Sequence, residues 1–188
     1  MKTVQYLIIF LFMTILNAQR EDKLPFYQLP ENAETYTAGT VAAKQVEALG
    51  FRFYHATENL TEKDLAFKPN DEVRTTGETI QHIYDLSLII VNATLVKPNS
   101  KEKQELSYLE LRQQTLLNLE KASILLRNAE DISTFKIVFG DKEIPFWNNI
   151  NGPIADAIWH CGQIASYRRT SGNPINSKVS HFTGTVKD

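Results

Sequence analysis

The chain has 188 residues, 20 Lys and Arg against 22 Asp and Glu, 43% apolar residues, four His and one Cys. That length suits one domain, the ordinary composition excludes a wholly disordered chain, and a net charge of −2 excludes the broad basic field of a nucleic-acid binder. A single Cys excludes an internal disulfide and Cys-rich zinc modules, so any chemistry falls to His, carboxylates and a few polar side chains.

Lys2 is followed by the apolar run Val4 to Leu16, the form of a signal peptide with its charged start and short hydrophobic stretch. Ala18 offers the small residue needed at a cleavage point, so residues 1–18 are expected to be removed. The run is 13 residues long. That is short of the roughly 20 that cross a bilayer, so no stable membrane anchor is expected after cleavage. Loss of Lys2 leaves a mature chain of 170 residues with a net charge of −3. The expected location is periplasmic or secreted, which puts Cys161 outside the reducing cytosol.

Residues 19–35 contain Pro25 and Pro30 and read as an extended lead-in. A first helix is predicted over 36–58, because Gly39, Ala42, Val46, Leu49, Phe53, Ala56 and Leu60 recur alternately three and four residues apart. Residues 61–74 read as a connector. Thr75 and Glu78 have capping-box spacing, each able to satisfy a free N–H at a helix start. The second helix then runs to about Val96, before Pro98. Its apolar seam is Thr79, His82, Leu86, Ile89, Ala93 and Val96.

A third helix is predicted over 102–129, with Leu106, Leu109, Leu116, Leu117 and Ile124 inward. Phe135–Phe139 and Glu143–Trp147 flank Gly140-Asp141-Lys142 and read as a short hairpin, with Pro145 restricting its strand to an edge. Gly152-Pro153 is read as the start of the fourth helix, since proline's missing N–H costs nothing at the first helical position. That helix ends near Gly172. Residues 177–188 form an irregular tail. The expected fold is all-α, a four-helix bundle over 36–176 with a short β-hairpin before the last helix.

At about 100° per residue, Asp156, His160, Gln163 and Tyr167 share one sector of the fourth helix. Asp156 and His160 are four residues apart, close enough to share one ion. His82 lies on the apolar seam of the second helix. Two histidines and a carboxylate from facing seams make a 2-His-1-carboxylate set, which holds a divalent ion and leaves positions open. A hydrogen-bonded Asp–His pair with a core histidine is the competing reading. Glu78 and Asp85 flank His82 along its helix, Asp85 being the expected support for its ring. Gln163 and Tyr167 are the candidates for orienting a ligand or moving a proton.

At these residues the chain resembles the DinB-like superfamily of damage-inducible four-helix-bundle metalloproteins. The likeness rests on Thr76-Gly-Glu-Thr-Ile-Gln-His82-Ile and Asp156-Ala-Ile-Trp-His160-Cys-Gly-Gln163-Ile, followed by Arg168, Arg169 and Gly172-Asn-Pro174, and spans about 36–176. It implies an up-down-down-up bundle and a divalent metal, usually nickel or zinc. The ligands it implies are one His on the second helix and an H-x-x-x-H pair on the fourth. His82 and His160 match the first and last of these. Asp156 stands at the middle position, and its harder carboxylate shifts preference toward zinc, iron or manganese. Some members of the superfamily are thiol-dependent transferases. An exported protein meets few such thiols, which favours hydrolysis.

The remaining reactive residues have plainer readings. Cys161 is a packed small side chain, Arg168 and Arg169 complement the helix dipole, and Trp147 and Trp159 pack. His55 is read as solvated, and nothing requires His181 to approach the site. The functional expectation is an exported, divalent-metal-dependent hydrolase or transferase acting on a small-molecule substrate. Its alternative is a non-enzymatic binding module with a vestigial site. No nucleic-acid partner is expected, and a homodimer is allowed.

Overall fold

The computed structural model describes residues 24–187 except 101 and 103. The signal-peptide reading falls outside them. The described chain is mainly helical, with four long helices and a β-hairpin before the last. Among the described residues, no helix is long and apolar enough to cross a membrane.

Helix α1 is Ala38–Ala56 and begins at Thr37, whose hydroxyl accepts from the Thr40 N–H while the Thr40 hydroxyl accepts from the Thr37 N–H. All seven residues of the predicted seam are buried, from Gly39 to Leu60. The connector holds one short helix, α2, Glu62–Leu65. Helix α3 is Thr76–Leu95, and its capping box is the predicted Thr75 and Glu78 pair. Of its predicted seam, Thr79, Leu86 and Ala93 are buried, His82 and Ile89 are half-buried at its edge, and Val96 is exposed and turns into the left-handed conformation that ends the helix.

Helix α4, Tyr108–Arg127, corrects the predicted third helix in both start and register. It starts at the capping box Ser107 and Glu110. Leu109, Leu117 and Ile124 are exposed, and the buried line is Leu111, Thr115, Leu116, Leu119, Ala122 and Leu126. Leucines occupy both flanks of this helix, so leucine spacing alone did not define its buried side. Polar residues on the true seam deepened the ambiguity. Arg112 is buried because its guanidinium stacks on the Tyr54 ring, 4.5 Å from the centroid.

Strands β1, Lys136–Phe139, and β2, Lys142–Pro145, pair antiparallel, and Pro145 sits at the end of the ladder. Asn99 donates its backbone N–H to Val138 O at 2.8 Å, which fastens the hairpin beside the exit of α3. The last helical segment starts earlier than its proline suggested. A short turn, α5, Trp147–Asn149, passes through a wider π turn at Ile150–Ile154 into α6, Ala155–Ser171. Pro153 lies inside the π turn. The changed bonding frame there tolerates a residue that cannot donate.

The long helices pack α1 along α4 and α3 along α4, with α6 against both α1 and α3. The flanking segments add a further layer over α1. The Phe26 ring sits so close to Gly50 that a Cβ there would lie 2.4 Å from it. Leu29 donates its N–H to Gly184 O at 2.9 Å, tying the lead-in to the tail. The tail is not wholly irregular, since β3, Val179–Ser180, pairs with β4, Thr185–Val186.

Candidate metal centre

The core face of α6 carries Ala157, Cys161, Ile164 and Arg168, all buried. Asp156, His160 and Gln163 lie on the flank that faces α3. There the His82 Nε2 is 3.2 Å from Asp156 Oδ2, and the His160 Nε2 is 3.4 Å from Asp156 Oδ1. The two imidazole rings meet edge to face with centroids 4.8 Å apart. One donor atom from each of His82, Asp156 and His160 lies within 4.8 Å of the others. The predicted three residues are therefore brought together from two helices.

The donor chemistry fits a divalent ion. Ligands at about 2.0–2.1 Å in a tetrahedral shell are roughly 3.3 Å apart, close to the two nitrogen–oxygen separations here, each made to a different oxygen of Asp156. The group is half-buried, which leaves part of the surroundings of Asp156 open to solvent. Support for His160 comes from Gln163. The His160 Nδ1 is 2.8 Å from Gln163 Oε1, and Gln163 Nε2 donates to the Tyr167 hydroxyl at 2.6 Å. Tyr167 is buried and packs edge-on to Phe67. Gln163 and Tyr167 thus form a bracing chain behind His160.

An amide oxygen only accepts, so His160 Nδ1 must carry the hydrogen. In the neutral ring Nε2 is then an acceptor, 3.4 Å from a carboxylate oxygen. Two acceptors that close are brought together favourably by a positive group, a proton or a metal ion. Neither flanking acid on α3 joins the group. Asp85 accepts from Gln81 Nε2 at 3.0 Å, and Glu78 is used by the helix cap.

Other sequence readings change. His55 is 2% exposed, covered by the Tyr27 and Tyr54 rings, and its Nε2–H donates to Tyr27 O at 3.0 Å. Burial pushes its basicity down, only partly offset by that bond and by Glu58. Sequence periodicity missed this because Tyr27, which covers the ring and accepts its hydrogen, comes from the lead-in. Trp147 and Trp159 are 76% and 78% exposed and do not pack in the core. Arg168 is buried and donates to His55 O at 2.9 Å and Ala56 O at 3.2 Å, capping α1 instead of a dipole at the surface. Cys161 is packed as expected, and burial pushes its thiol up to about 12.

No protein-family model matches the chain, and neither the curated proteins nor the solved structures contain a match to it.

Proposed function

We propose that the chain is an exported four-helix-bundle protein of the DinB-like type, a metal-dependent hydrolase or transferase. His82, Asp156 and His160 would hold one divalent ion. The observation that carries this reading is the convergence of one donor atom from each of the three residues, with His160 held by Gln163. Gln163 takes its Nδ1 hydrogen and leaves Nε2, 3.4 Å from the Asp156 carboxylate, free to ligate.

The mixed nitrogen and oxygen donor set suits zinc, iron or manganese ahead of nickel. Such an ion supplies Lewis acidity at neutral pH and polarises a substrate atom that reaches it. The chain's own residues set the rest. Asp156 brings negative charge between the two rings, Gln163 fixes the tautomer of His160, and Tyr167 fixes Gln163. Trp159 is exposed on α6, three residues from Asp156 and four from Gln163, where it can lie against the apolar part of a substrate.

A second reading rests on the His82–Asp156 contact at 3.2 Å, which is also a sound hydrogen bond. In that case the stripe is a polar network and the protein is a binding module. Metal analysis separates the two. Tag-free protein should contain about one zinc, iron or manganese per chain, or take up Zn2+ at that ratio in calorimetry. His160→Ala should fall to background. Gln163→Ala should bind about 10- to 100-fold more weakly, as expected for loss of a ligand's supporting partner. Equal metal content in the parent and His160→Ala would overturn the proposal. An esterase and amidase screen beside a thiol-transfer screen then divides hydrolase from transferase.

A further inference from the structure

The opposite flank of α6 carries a second, chemically different feature. A half-open cavity of about 290 Å³ lies between α1 and α6 and is bordered by the C-terminal tail. Ile158, Cys161, Ala165 and Ile175 give it an apolar floor, while Arg52, Arg169 and His181 line it with potential cations. None of its lining residues is acidic. On a molecule with more acidic than basic residues, that exclusion of carboxylates is a local departure from composition. Among the described residues, neither arginine forms an ion pair with a carboxylate. Arg52 donates to the Ala48 carbonyl one turn back.

Two further observations point inward. His181, which lines the cavity with Arg52 and Arg169, is made less basic by burial and then by the charges of Arg52, His55 and Arg169. Gly162 lies within α6 at the cavity wall, and a Cβ there would meet nothing within 4 Å. Glycine inside a helix lowers its stability. No close packing requires it here, and its effect is to keep the cavity open. Cys161 supplies apolar surface and no thiolate, given how far burial raises its thiol.

We propose that this cavity binds a small amphiphilic monocarboxylate, with the carboxylate between Arg52 and Arg169 and the apolar body against Ile158, Ala165 and Ile175. An arginine fork matches a carboxylate geometrically, and a mostly apolar wall with a few convergent polar groups is the usual form of a small-ligand site. The site is independent of the metal centre, which lies on the other side of the same helix.

The test uses the full mature chain with chelator present, so that carboxylate binding to a metal is removed from the readout. Octanoate is titrated and followed by amide chemical shifts. It should perturb residues around Cys161–Ala165 and His181 and saturate. Octanol and inorganic phosphate should each bind at least tenfold more weakly. The double variant Arg52→Gln, Arg169→Gln should lose at least tenfold in octanoate affinity. Gly162→Leu, which keeps both cations and has room for its side chain, should block binding. His160→Ala should leave it unchanged. Failure of octanoate to saturate, equal binding of octanol or phosphate, or full affinity in Gly162→Leu would each overturn the proposal.

Discussion

Arg168 shows how a single side chain can serve a role that its position in sequence does not advertise. It lies in the last turn of α6, where a cation ordinarily complements the helix dipole. Its guanidinium instead reaches across to the end of α1 and satisfies two carbonyls left free there, while its Nε–H donates to Asn173 O at 2.7 Å. Burial lowers its basicity, and the nearby Asp64 charge opposes that effect. Arg168→Met keeps much of the volume but leaves buried carbonyls unpaired and Asp64 without its nearby cation. The expected loss is about 3 kcal/mol, in the range for breaking a buried charged network, measured by urea unfolding at neutral pH. Arg168→Lys should recover only part, because one ammonium cannot reproduce a fork of donors. A loss below about 0.5 kcal/mol for Arg168→Met would place the residue among ordinary surface cations.

The elements were legible where sequence pattern and packing agree. The seam of α1 could be read directly because its apolar residues recur with unbroken spacing, and the Thr75 and Glu78 box marks the start of α3 in both sequence and structure. The Ser107 and Glu110 box was present in the sequence too, and it marks the true start of α4. The register of α4 was harder, because its exposed leucines mimic a seam. The π turn was hidden, since Pro153 marks a helix start far more often than a helix interior. At the other end of α3, Val96 adopts φ 50° and ψ 43°, a left-handed conformation that β-branched residues resist. It is also exposed, so its side chain adds little packing. Val96→Gly should raise stability by about 1 kcal/mol, the cost of the left-handed region for an ordinary residue. Thermal unfolding checks this. An unchanged or lower midpoint would mean that the Val96 methyls contribute more than the strain removes.

At the scale of the whole molecule, the candidate metal centre was legible and its surroundings were not. His82, Asp156 and His160 converge because helical spacing, a local property that sequence records, sets Asp156 and His160 side by side on α6 and His82 at the edge of the buried face of α3. His55 becomes buried through residues 28 positions away, and the cavity beside Arg52 is completed by the tail. Contacts between distant segments leave no periodic trace. Asp64 shows what such contacts do for stability. It caps α2 through Thr61 and also accepts from Ser171 Oγ at 2.7 Å and Asn173 Nδ2 at 2.9 Å, so one carboxylate joins the connector to the end of α6.

Burial alone would raise the pKa of Asp64, but bonds from Asn173, Ser171 and Thr61 outweigh it and hold the carboxyl well below the usual carboxylate range. In the unfolded chain the same group has an ordinary value near about 3.9. Between these two values the unfolded state binds more protons, so stability rises with pH there and is level above. The contribution of Asp64 is therefore complete at neutral pH and is lost as pH falls through the ordinary carboxylate range and below it. Asp64→Asn keeps the size and some of the bonds but has no charge to lose. It should be less stable than the parent at pH 7 by about 2 kcal/mol, in keeping with hydrogen bonds to a charged group. The gap should narrow steadily as the pH is lowered from about 5 toward 2. Urea midpoints across that range provide the measurement. A gap that stays constant with pH would show that Asp64 acts through shape and neutral hydrogen bonding alone.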